Sequence, residues 1–255
     1  MTEKPGEAVE IHTRILRCTL AADDCYAYWQ HVDLSVPVDE RPALAFQQRW
    51  FGVKSEARVR TLLANMVERF DAFPEALRVL QSLGSVPSTL RPWICHLHLQ
   101  LSDRIYRRFS GEFLPQRRFE GYAAIDRGIA ARWVEELAPE RWSATTSIKF
   151  ASNMLSAAVE SGLIKGRNDP RKLTLSQVPD AAVGYALYLL RTVRFEGSLD
   201  DNPYLRSLGI DSALFPLALA RVPGISVRAI GGVRELDWRY PTLAEWGNEN
   251  LRATA

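Results

Sequence analysis

Helical spacing of apolar residues dominates the chain. Residues 9–21 and 24–32 read as two short helices, the second packing Tyr26 and Trp29, and residues 43–51 read as another. Residues 54–70 follow, with Ser55 as N-cap and Val59, Leu62, Leu63, Met66 and Phe70 along one stripe. Pro74 sits in the first turn of a further helix that ends near Gly84. The longest helical pattern covers residues 87–109, where Leu90, Ile94, Leu97, Leu101, Ile105 and Phe109 keep register until Ser110-Gly111 predicts a stop. Residues 114–121 read as a connector, and 122–137 as helix again before Pro139.

The period changes towards the C-terminus. Residues 172–176 alternate, and residues 226–230 and 233–238 read as two strands across Gly231-Gly232, a hairpin signal. A helix over residues 212–221 precedes that hairpin and stops at Pro223-Gly224, and helix followed by hairpin is the local order of a winged helix. The expected class is mainly α, with helix-turn-helix or winged-helix-like domains and one or two small β-hairpins. Residues 1–110 are expected to form an N-terminal helical domain, and 111–255 a C-terminal winged-helix-like one.

Composition narrows the function only a little. The 255 residues are 47% hydrophobic and 24% charged, with a formal net charge of +2, so any polyanion-binding surface must be local. The opening ten residues hold three glutamates and no apolar block, unlike a secretory signal. The apolar run at 181–190 has about half the length a bilayer span needs. Cys18, Cys25 and Cys95 lack CxxC spacing and suit reduced, buried thiols. A cytoplasmic protein without membrane contact is the expectation.

Charge is unevenly spread, however. Residues 1–50 carry a net charge of −3, whereas 141–175 carry +4. The basic region begins RWSATTSIKFASNML, a helix opened by Ser143. On it, Thr145, Lys149, Ser152, Asn153, Ser156 and Glu160 share one face, and Ile148, Ala151, Leu155, Ala158 and Val159 are left for burial. Such a face suits DNA. A helix N-terminus offers free N–H groups to phosphate, Asn pairs with an adenine edge, and Lys or Thr reaches bases or phosphates. Thr146 belongs to the same opening turn. Beyond Gly162, Lys165, Arg167, Arg171 and Lys172 lie on a turn-rich segment with the character of a wing. The bland alternative is an amphipathic helix with a solvated turn.

Lys54, Arg58 and Arg60 are a second candidate phosphate contact, although Arg58 and Arg60 diverge on a helix. Arg104, Arg107, Arg108, Arg117 and Arg118 read as solvated arginines at a helix end. Catalysis is not indicated: there is no phosphate loop, dinucleotide fingerprint or nucleophile elbow. His96 and His98, two apart on a helix, diverge too far to chelate one ion, so neither metal nor cofactor is expected.

In four stretches the chain resembles the BrxA family of bacterial BREX phage-defence systems. They are KSEARVRTLL from Lys54, the 87–109 helix, WSATTSIKFASNML from Trp142 with its Glu160-Ser-Gly-Leu end, and the tail from Tyr185 through Leu208-Gly-Ile to ELDWRYPTL at Glu235. The resemblance implies a helical, helix-turn-helix-type protein that binds double-stranded DNA within a multi-protein defence complex, alongside a methyltransferase and a large ATPase. It adds weight to Lys54, Arg58, Thr145, Thr146 and Lys149, and leaves residues 1–10 outside the match as an added tail. The rival expectations are a protein-interaction module anchored by Trp133, Trp142 or Trp246, and an RNA-binding helical protein.

Overall fold

The computed structural model describes residues 4–230 and 233–252. Its α-helices are α1 (Ala22–His31), α2 (Arg41–Gln47), α3 (Glu56–Met66), α4 (Pro74–Ser82), α5 (Arg91–Ser102), α6 (Arg104–Arg108), α7 (Leu114–Phe119), α8 (Arg127–Leu137), α9 (Ala144–Glu160), α10 (Asp180–Leu190), α11 (Pro203–Ser207), α12 (Phe215–Leu219) and α13 (Leu243–Asn250). Two small antiparallel sheets complete it. In one, β1 (Ala124–Ile125) pairs with β2 (Arg171–Lys172); in the other, β3 (Ile225–Ile230) pairs with β4 (Val233–Trp238). The protein is thus mainly helical. Strands β3 and β4 occupy the positions that alternation predicts, and the Gly231-Gly232 turn between them lies outside the described residues.

Two helices are apolar almost all round and form the centre. In α5 every residue from Trp93 to Ser102 is buried, and in α10 every residue from Ala182 to Leu190. The buried apolar residues make one cluster running from Ile15 to Leu251. Gly184 of α10 admits the Trp246 indole: a Cβ there would lie 2.1 Å from the ring. Trp246 stacks on Tyr188 and is buried, so it is no surface anchor. Trp133 is half-buried against Phe109 and Phe113, and Trp142 against Phe150.

The 87–109 pattern departs from one continuous helix. Asp103 takes an extended conformation (φ −138°, ψ 106°), ends α5, and caps α6 by accepting from the Tyr106 N–H at 2.9 Å. The helix then passes through Ser110-Gly111 as a π-helical turn (Phe109–Phe113) into α7, because Gly111 meets the chain at α11. A Cβ on Gly111 would lie 2.3 Å from the Pro203 carbonyl oxygen. The position near residue 110 where two domains were expected to meet falls inside this turn. Gly111→Ala is expected to destabilise by about 1–3 kcal/mol, because backbone rather than a flexible side chain must move. A thermal melt reads it as a drop of roughly 2–10 °C; an unchanged melting temperature would contradict the close packing.

The largest departure is at the N-terminus. Residues 9–21 are not a helix; only the 3-10 turn Arg14–Leu16 is helical. Residues 4–21 form a strap, extended apart from that turn, whose backbone groups are met by side chains from elsewhere. Arg107 donates to the Ala8 carbonyl, Arg104 to Val9, Arg141 to Ile11, Asn153 to Ile15 and Arg58 to Arg17. Arg69 donates to the carbonyls of Cys18, Thr19 and Leu20. The Glu7 side chain is buried against Arg107 and accepts from the Tyr204 hydroxyl, so residues 4–10 are knit into the fold. Arg107 itself is buried, which corrects the reading of that arginine cluster as solvated.

Candidate nucleic-acid interface

Between residues 114 and 172 the order is α7, β1, α8, α9, then a hairpin that returns to β1. The Lys165 and Lys172 backbones exchange hydrogen bonds at 2.9 and 2.7 Å, and Lys172 pairs in turn with Ala124. Arg118 fixes the base of this unit by donating to the Leu163 and Leu173 carbonyls; burial lowers its guanidinium pKa to about 10. Asp126 caps α8, accepting from the Ile129 N–H, and Asp169 accepts from the Arg127 N–H, tying the hairpin to the start of that helix.

Ser143 caps α9 as its sequence predicts, with Oγ accepting from the Thr146 N–H at 3.3 Å and meeting the Thr146 hydroxyl at 3.0 Å. Phe150, Ala151, Met154, Leu155, Ala157 and Ala158 face the core. Ile148 does not: it is 44% exposed, on one outward stripe with Thr145, Lys149, Ser152 and Ser156.

The other polar edge of α9 is occupied by the strap. Asn153 donates to the Ile15 carbonyl at 2.9 Å, which commits the amide assigned to an adenine edge. Glu160 accepts from the Ala21 and Ala22 N–H groups at 3.2 and 2.7 Å. Ala21, at the α1 N-cap, has a left-handed backbone (φ 53°) and no side chain able to cap, so Glu160 supplies the missing acceptor. The strap therefore runs beside α9 from Arg141 to Glu160.

The cationic residues divide into two groups. Lys54 donates to Asp24 at 2.9 Å and to the Phe51 carbonyl, Arg60 pairs with Glu56, and Arg58 serves the strap. All three are used within their own fold. Arg171 is turned inward, 12% exposed, with Nη1 3.6 Å from Asp169. Lys149, Lys165, Arg167 and Lys172 are exposed, and among the described residues no carboxylate pairs with any of them. The structure thus leaves four cations open on the helix and hairpin.

His96 and His98 lie buried and point apart. His96 contacts the Tyr106 and Ser207 hydroxyls, and His98 contacts the Arg69 carbonyl and the Tyr185 hydroxyl. No helix is long and apolar enough to cross a membrane among the described residues. No protein-family model matches the chain, and no curated protein matches it.

Proposed function

We propose that the chain is a non-enzymatic, cytoplasmic, double-stranded-DNA-binding accessory protein of a BREX-type phage-defence system, with a methyltransferase and a large ATPase as its partners. The order helix, strand, helix, helix, hairpin over residues 114–172 supports a winged-helix reading, in which α9 would be the recognition helix and residues 165–172 the wing. One observation carries the reading. Among the described residues no carboxylate pairs with Lys149, Lys165, Arg167 or Lys172, whereas Lys54, Arg60 and Arg171 lie against carboxylates.

Exposed cations that bind no carboxylate suit a polyanion backbone. With four phosphate contacts the binding constant falls with salt at a log–log slope of about −3.6, roughly a hundredfold between 50 and 200 mM. Lys149→Glu with Arg167→Glu removes two contacts and adds repulsion, so binding at low salt is expected to weaken at least about a hundredfold, with the slope roughly halved. Lys54→Glu with Arg60→Glu is expected to leave the slope alone. Fluorescence anisotropy on a random duplex at several salt concentrations measures both. An unchanged slope in the first pair removes this surface from the function.

A further inference from the structure

The side chains left on the outward stripe of α9 say what kind of duplex it would prefer. Hydrogen-bond reading needs free donors, and the amide and both serine hydroxyls past Lys149 on this side of the helix are engaged. Asn153 donates to Ile15, the Ser152 hydroxyl donates to the Ile148 carbonyl at 2.9 Å, and the Ser156 hydroxyl donates to the Ser152 carbonyl at 2.8 Å. Among these is Ile148, an aliphatic side chain 44% exposed between Thr145 and Ser152 and next to the unpaired Lys149. A lone exposed aliphatic is ordinary on a protein surface. One at the middle of a helix face that is otherwise polar and cationic has a specific complement in DNA. The only apolar group that an unmodified base presents in the major groove is the thymine C5 methyl.

We infer that Ile148 reads thymine C5 methyls, making the protein selective for T-containing duplexes through apolar contact. The inference rests on the DNA-binding reading of α9. It assigns Lys149 to phosphate, Ile148 to the groove floor, and Asn153 to positioning the helix through the strap.

Uracil lacks only the methyl, so the test replaces every thymine of an A·T-rich duplex by deoxyuridine. A second pair compares a G·C duplex with its 5-methylcytosine form, which restores a methyl in the major groove. The wild-type protein is expected to bind the uracil duplex roughly three- to tenfold more weakly than the thymine duplex, and to gain affinity on cytosine methylation. Ile148→Ala should bind both A·T-rich duplexes equally, at about the wild-type affinity for uracil and with an unchanged salt slope. Ile148→Val should keep the preference. Because the residue is on the surface, a circular-dichroism melt shows whether either variant is folded. Equal wild-type binding to thymine and uracil duplexes overturns the inference and leaves the DNA reading standing. Absence of binding to any duplex at low salt overturns the DNA reading itself, and the inference with it.

Discussion

Arg69→Met is expected to unfold roughly 6–20 °C below the wild type. Arg69 is 2% exposed and pairs with no carboxylate among the described residues. Its Nη1 donates to the Leu20 carbonyl at 2.7 Å and lies 3.8 Å from the Cys25 sulfur, and its Nη2 donates to the Cys18 and Thr19 carbonyls at 3.0 and 2.6 Å. Asp103 and Glu160, the acids whose charges bear on this region, are committed to the Tyr106 N–H and to the Ala21 and Ala22 N–H groups. The guanidinium thus replaces the hydrogen bonds that a helix over residues 9–21 would have made for itself. Methionine approximates its volume but leaves the Cys18 and Thr19 carbonyls without donors and the Leu20 carbonyl with only the Cys25 thiol at 3.5 Å, at about 1–3 kcal/mol for a buried group left unpaired. Loss of a buried charge recovers some desolvation, so the net expectation is about 3–5 kcal/mol. Lysine should not restore stability, because one ammonium cannot span three acceptors in the guanidinium plane. The control is Arg60→Met, which breaks an exposed i,i+4 pair and should cost less than about 1 kcal/mol. Hydrogen exchange over residues 14–22 gives a second readout, since release of the strap exposes those amides first. If Arg69→Met melts with Arg60→Met, the guanidinium is not what holds the strap.

The same residues show where sequence reading stops. Local signals survived: Ser55 and Ser143 are caps, and Val59, Leu62, Leu63, Met66 and Phe70 are buried on one stripe. Each rests on partners within a turn or two. The strap could not be read this way, because the donors that hold it are as far off as Asn153 and Arg141, and its residues 9–21 are as apolar as a weak helix. The same blindness affected the interface. Lys149 and Asn153 sit one turn apart and look equivalent on a helical projection, but the strap takes Asn153 and leaves Lys149 exposed. Ile148 was assigned inward for being apolar; Phe150 and Leu155 fill the core instead. The break at Asp103 did have a signal in Ser102-Asp103, since aspartate is a preferred N-cap, but the continuous apolar register on both sides hid it.

A fold that ties its N-terminus to α9 makes helix position and strap docking one equilibrium. Glu160 belongs to α9 yet caps α1, and Asn153 on the same helix and Arg141 just before it hold the strap. If α9 binds duplex as proposed, a substitution at Asn153 weakens binding by displacing the helix, and its effect is the same on every duplex. On the same proposal, one at Ile148 changes preference between duplexes while stability stays constant. That contrast separates a positioning residue from one that reads bases.

Acid should destabilise the protein steeply well before its carboxylates protonate, because of His96 and His98. Burial is the main cause at both, pushing His96 down to about 3 and His98 to about 4. In the folded protein both rings stay neutral, while in the unfolded chain each takes up a proton near 6.5. The unfolded state therefore binds more protons below pH 6.5, and stability falls as pH drops from there towards 4. Each ring contributes about 1.4 kcal/mol per pH unit, so the pair removes about 4 kcal/mol between pH 8 and pH 5. Asp103 works in the opposite direction. Burial raises its carboxyl pKa, so the folded state takes up that proton first and recovers part of the loss at the acid end. For a chain of this size the two histidines by themselves lower the melting temperature by roughly 8–15 °C at pH 5. His98→Gln keeps a group able to hydrogen-bond the Tyr185 hydroxyl but cannot titrate. It should be less stable than the wild type at pH 8, yet lose only about half as much on going to pH 5. Equal acid slopes in the two proteins would show that His98 takes up its proton without unfolding, and that its ring is not sealed in the core.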